Sequence, residues 1–160
     1  MRPVTRYHPN PSPSTRLSIH PPMLIFLDFD GVLHPNLCPG DRHFVHAQAL
    51  ADTIGAAEAD IVISSSWRFH HSLHDLVQRL PEALGRRIIG ATGEPCIGRF
   101  SRHREILGYL GAYRIRERWI ALDDSAWEFP PDCRELIHCD GSTGIGEREL
   151  ARVAAFLARP

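Results

Sequence analysis

The chain has 160 residues, 43% apolar and 23% charged, with a formal net charge of −1. That make-up fits one soluble globular domain with a real core, and the near-zero charge excludes strong whole-chain steering toward nucleic acid. No apolar run approaches the length of a membrane span and the N-terminus lacks an apolar signal core, so a cytoplasmic protein is expected. The four cysteines, Cys38, Cys96, Cys133 and Cys139, form no C-x-x-C pair and read as reduced thiols rather than a disulfide framework. Every basic residue is Arg; the chain has no Lys.

Residues 1–22, MRPVTRYHPNPSPSTRLSIHPP, are rich in Pro, Ser and Arg and show no period. They read as a tail without fixed structure. Met23 opens the first strand directly, which suggests a start site there and a misassigned extension before it. A flexible arm that contacts a partner is the competing reading. Met23–Asp28 reads as a buried strand, and Ala47, Leu50, Ala51 and Ile54 keep helical spacing. Asp60–Ser66 is the next strand, and Leu73, Leu76, Val77 and Leu80 mark a second helix. Arg86–Gly90 is a short strand, followed by a helix marked by Ile106, Leu107, Leu110 and Tyr113. Arg118–Asp124 and Glu135–Asp140 complete five strands, and Leu150, Val153, Ala154 and Leu157 close with a helix. This alternation predicts an α/β domain over residues 23–160, a parallel sheet with helices on both faces. Such sheets bind ligands at the carboxyl ends of their strands.

Polar residues collect at those ends. The stretch MLIFLDFDGVLHP runs five apolar residues into Asp28, with Asp30 two positions on. Residues two apart on an extended chain point to the same side, so the two acids should share one site. At about 4 Å and an effective dielectric near 20, two such charges repel by roughly 4 kcal/mol, which a proton or a divalent cation would offset. Ser64, Ser65 and Ser66 end the second strand, and Asp123 and Asp124 the fourth. Ser101 reads as an N-cap, which puts Arg104 in the first turn of its helix, at the same sheet edge. Singly, each has a plainer role: turn residue, helix cap or solvated cation. Together, in this order, they describe a site. His70, His71 and His74 include an i, i+4 pair but lack a third ligand at metal spacing, so a solvated face is expected. Trp67 and Arg68 could stack on a base or a phosphate, or Trp67 could simply be core.

The segments FLDFDGVL, VISSSW, the Arg of SRHREILGYL, and ALDD together resemble the four motifs of the haloacid dehalogenase (HAD) superfamily. The D-x-D-G after an apolar strand is the most specific of them. The finer pattern, through SSSWR and LDD, is similar to the HAD domains of RNA-repair (Swiss Army Knife) proteins. The resemblance spans residues 23 to about 158 and implies a three-layer Rossmann-like fold. It also implies a Mg²⁺-dependent phosphatase with Asp28 as nucleophile and Asp30 as general acid and then base. Mg²⁺ would be held by Asp28, the Asp30 backbone carbonyl and Asp124, with Asp123 close by. Ser64, or else Ser65, would hold a phosphate oxygen. The superfamily's usual Lys has no counterpart here, so Arg104 would grip the phosphate, with Arg99 and Arg102 as rivals. Dehalogenating members lack the second acid, so Asp30 favours phosphoryl chemistry. His34, just past the D-x-D-G turn, would border the substrate entrance.

Caps in this superfamily follow the first motif or lie between the second and third. Gly31 to about Phe44 and Trp67 to Phe100 leave no room for one. An open, capless site suits a bulky substrate such as a nucleic-acid end or a phosphoprotein, or an oligomer in which a neighbour closes the site; action on nucleic-acid or nucleotide phosphates is expected. A small-molecule phosphatase or phosphotransferase of the same fold is the first alternative, and a catalytically silent HAD-fold binding module the second.

Overall fold

Short apolar runs become strands here because both faces of the sheet are covered, so they need no polar alternation. The computed structural model describes residues 23–159; the expected tail at 1–22 lies outside them. The strands are β1 (Met23–Leu27), β2 (Ala59–Ile63), β3 (Ile88–Ala91), β4 (Trp119–Asp123) and β5 (Leu136–His138). The helices are α1 (Ala47–Ile54), α2 (Leu73–Gln78), α3 (Glu82–Gly85), α4 (Ser101–Ala112) and α5 (Glu147–Leu157). All pairings are parallel, in the order β3-β2-β1-β4-β5. The chain steps outward from β1 to β3, then crosses back to the other side of β1. The strand order reverses at β1, where open α/β sheets form their ligand crevice.

The faces divide by alternation along the strands. Ile25, Leu27, Ile61, Ile63, Ile120 and Leu122 pack under Leu50 and Ile54 of α1, Leu76 of α2, Leu84 of α3 and Val153 of α5. On the other face Leu24, Phe26, Val62 and Ala121 pack against Ile106, Tyr109 and Leu110 of α4 and against Phe129. The Phe26 ring meets Tyr109 and Trp119 edge-on at 5.8 and 5.6 Å, a favoured geometry that locks α4 over the sheet centre.

The elements differ from the sequence expectations mostly at their ends. β1 stops at Leu27 and β2 at Ile63, so Asp28 and the serines lie just beyond the strands. Ser66–Phe69 is a 3-10 turn rather than strand. The short α3 had no periodic signal. Ser101 is not the N-cap of α4. That position belongs to Phe100, at a left-handed φ of 56°, while the Ser101 hydroxyl donates to Glu128 Oε1 at 3.0 Å. Among the described residues no domain is inserted between these elements. No helix among them is long and apolar enough to cross a membrane.

Candidate active site

Register places the site. Leu27 pairs with Ile63 on one side and Leu122 on the other. The next residues, Ser64, Asp28 and Asp123, therefore form one row across three adjacent strand ends, on the α4 face. Backbone bonds continue the ladder through them: Asp28 N–H donates to Leu122 O at 3.0 Å and Ser64 N–H to Leu27 O at 2.8 Å. All three residues are buried.

Asp28, Asp123 and Asp124 bring carboxylate oxygens within 4.8 Å of one another. These hard donors suit an ion such as Mg²⁺. Asp30 is outside that cluster, so the acids crowding Asp28 are those of β4 rather than its near neighbour in sequence. Burial pushes the Asp28 carboxyl up to about 6, against the pull of Arg102, the Phe29 N–H and the Ser65 hydroxyl. Burial, and then the Asp28 charge, push Asp123 up to about 8. The pair titrates as a unit.

The cation beside them is Arg102, not the expected Arg104. Arg102 Nη1 lies 3.7 Å from Asp28 Oδ1, and its Nε lies 3.6 Å from Asp123 Oδ2 and 3.3 Å from Glu128 Oε2. Burial opposes its charge, but these acids outweigh burial and hold the guanidinium above its ordinary range. Arg104 is exposed and turned away, with Nη1 donating to Ile97 O at 2.9 Å. Arg99 is also exposed and lies over the Phe100 ring. The sequence already carried the correct phase. Arg102 sits three, four and seven residues before Glu105, Ile106 and Tyr109, the buried stripe of α4.

Asp124 is fixed by residues that sequence reasoning missed. Asn36 Nδ2 donates to its Oδ2 at 2.7 Å and the Ser125 hydroxyl to its Oδ1 at 3.2 Å. Gly31 and Gly141 flank it: a Cβ at either would collide with Asp124 Oδ2. Gly31 also holds a φ of 71°, which favours glycine. Asn36 N–H donates to Gly141 O at 2.7 Å, tying the loop after β1 to the loop after β5. Short-range patterns carry no signal for that tie.

The two serines differ. Ser65 Oγ accepts from Trp67 N–H at 3.4 Å, capping the 3-10 turn. Ser64 Oγ is buried without a hydrogen-bond partner among the described residues, as is Arg102 Nη1. Buried donors without a hydrogen bond cost about 1–3 kcal/mol each; of these two, Arg102 Nη1 lies 3.7 Å from Asp28 Oδ1. Trp67 Nε1 and His34 Nε2 both reach Asp30. Arg68 is structural: it donates to Glu105 Oε2 at 2.7 Å and to the carbonyls of Ser65 and Gly93. His70 and His74 are exposed and His71 packs on Trp67. All four cysteines are free thiols.

Residues 24–150 match a family model described as the HAD domain in Swiss Army Knife RNA repair proteins. No curated protein and no solved structure matches the chain significantly.

Proposed function

The chain belongs to the HAD domains of Swiss Army Knife RNA repair proteins, and from that membership we propose that it is a Mg²⁺-dependent phosphatase acting on the phosphorylated ends of nucleic acid or on nucleotides. The family supports a hydrolase-type enzyme. The observation that carries the finer reading is two buried donors without a hydrogen bond, Arg102 Nη1, 3.7 Å from Asp28 Oδ1, and Ser64 Oγ, on the residue next to Asp28 in the row of strand ends. A phosphoryl group there would take a hydrogen bond from each.

Asp28 attacks phosphorus through a carboxylate oxygen. The phosphorus–oxygen bond to the leaving group breaks, and that oxygen keeps the electron pair and takes a proton from Asp30. Asp30, now a carboxylate, takes a proton from water as the water oxygen attacks phosphorus. The acyl–phosphate bond breaks, Asp28 regains its carboxylate, and inorganic phosphate leaves. Asp28, Asp124 and the Asp30 carbonyl would hold Mg²⁺, with Asp123 nearby; when bound, the ion offsets the charge these acids and the phosphate bring together. Among the described residues no cap domain is inserted over the strand ends, which favours a macromolecular phosphate over a small enclosed one.

The test is phosphate release from p-nitrophenyl phosphate and from 5′- and 3′-phosphorylated oligonucleotides, with Mg²⁺ or EDTA, for wild type and Asp28→Asn. Release should need the metal, vanish in the variant and be more efficient on an oligonucleotide. Better turnover of small phosphates would favour a small-molecule phosphatase. No release from any substrate would leave a binding module and end the enzymatic reading.

A further inference from the structure

Asp30 is half exposed, its side chain 47% accessible, yet it is held at both oxygens. Trp67 Nε1–H donates to Oδ2 at 2.8 Å. His34 Nε2 lies 2.9 Å from Oδ1. The other His34 nitrogen settles where the proton is: Nδ1 accepts the Phe44 backbone N–H at 3.2 Å. A nitrogen that accepts carries no hydrogen, so the ring is neutral and its proton sits on Nε2, facing Asp30. Phe44 holds a left-handed φ of 63°, uncommon for a bulky residue, and it is this turn that supplies the N–H to the ring.

The two donors stand on a rigid wall. His34 is 1% exposed, with ring centroids 4.6 Å from His43, 5.4 Å from Phe44 and 5.9 Å from Trp67. Trp67 packs in turn on Phe29 and Phe44. Cys38 and His43 bring ligand atoms within 4.8 Å of His34, a spacing a soft cation could bridge. Such an ion would have to take a His34 nitrogen already committed to Phe44 or to Asp30.

We propose that His34 and Trp67 are positioning residues for Asp30, a two-point clamp that aims its carboxyl at the leaving-group oxygen and then at the hydrolytic water. The proposal rests on the phosphatase reading above. A terminal carboxyl torsion is broad and roughly two-fold, so a half-exposed Asp held at neither oxygen would spend much of its time misaligned. Two N–H bonds remove that freedom and leave an outward lone pair on each oxygen to carry the proton. Both donors are neutral, so the clamp brings no net charge to the site. Aligned proton transfer contributes about 10²–10⁴-fold.

The experiment compares two esters in wild type, Trp67→Phe, His34→Leu and His34→Gln. The nitrophenolate of p-nitrophenyl phosphate leaves without needing a proton, whereas the alkoxide of β-glycerophosphate needs one. In Trp67→Phe and His34→Leu, kcat/KM on the alkyl ester, which reports the leaving-group step, should fall about 10- to 100-fold while kcat/KM on the aryl ester stays within about 3-fold. His34→Gln, which restores a donor at the Nε2 position, should recover most of the loss. Equal losses of kcat/KM on both esters, or none on either, would overturn the clamp while leaving the phosphatase reading intact. Wild type inactive on every phosphate ester would sink the reading and the clamp together. A readout without turnover is the Trp67 indole N–H resonance, which should move upfield in Asp30→Leu; an unmoved resonance also overturns the clamp.

Discussion

Replacing Arg102 with Met keeps the aliphatic stem and removes the charge. The guanidinium faces Asp28 at 3.7 Å and Asp123 at 3.6 Å and is 11% exposed. At that range and an effective dielectric near 20, each attraction is worth about 4 kcal/mol before desolvation. Breaking a buried pair typically costs about 3–5 kcal/mol. The cost should depend on pH, because the acids can protonate instead. Burial raises both above ordinary carboxylates, to about 6 for Asp28 and about 8 for Asp123. A group raised in the fold favours its protonated form there, so stability is full below the unfolded value and falls as pH rises through the folded one. Removing Arg102 raises both folded values further and steepens that fall. The variant should trail wild type by about 1 kcal/mol near pH 5 and by about 3–5 kcal/mol near pH 8.5. For a domain of this size that is a melting difference of about 10–15 °C at the higher pH. The assay is thermal unfolding in EDTA at both pH values, repeated with millimolar Mg²⁺, which should narrow the gap at high pH. A deficit of equal size at both would mean that Arg102 acts through packing, and the electrostatic account would fall.

Gly141→Ala puts a methyl group against Asp124 and Asn36; Mg²⁺ affinity should drop at least about 10-fold with the melting temperature in EDTA nearly unchanged, as read by a metal titration. Arg104→Ala should leave phosphate release within about 2-fold of wild type, because surface changes away from the site are close to neutral; a loss as large as that of an Arg102 variant would contradict the placement of these two side chains.

The fold was largely legible because apolar runs of strand length alternate with helical spacing, and a parallel sheet forces both onto one pattern. Asp28, Ser64 and Asp123 were legible for the same reason, each being the first polar residue after a buried strand. The Arg that faces Asp28 is Arg102, two positions before the expected Arg104. Ser101 has the chemistry of an N-cap, but Phe100 takes that place with a left-handed backbone that sequence does not advertise. Leu107, one of the residues that mark this helix in the sequence, is 48% exposed and lies off its buried stripe. The shared orientation of Asp28 and Asp30 was argued from an extended strand, but the strand ends at Leu27. Asp30 instead leads into the turn at 31–33 and is captured by Trp67 and His34. Asn36, Gly141 and Glu128 were invisible because each meets the site through contacts between distant parts of the chain, which no local period encodes.

The central place of β1 has a consequence for how the protein is made. β1 pairs with β2 on one side and β4 on the other. A nascent chain that has emerged only as far as α4 has one edge of β1 open, a row of unpaired backbone groups able to template aggregation. Closing that edge means joining segments far apart in the chain, a slow step in parallel sheets. Asp123 arrives on the same strand that closes it. Two of the three acids of the cluster are therefore missing until that edge of β1 is sealed, and the repulsion among the acids is deferred until β4 is in place.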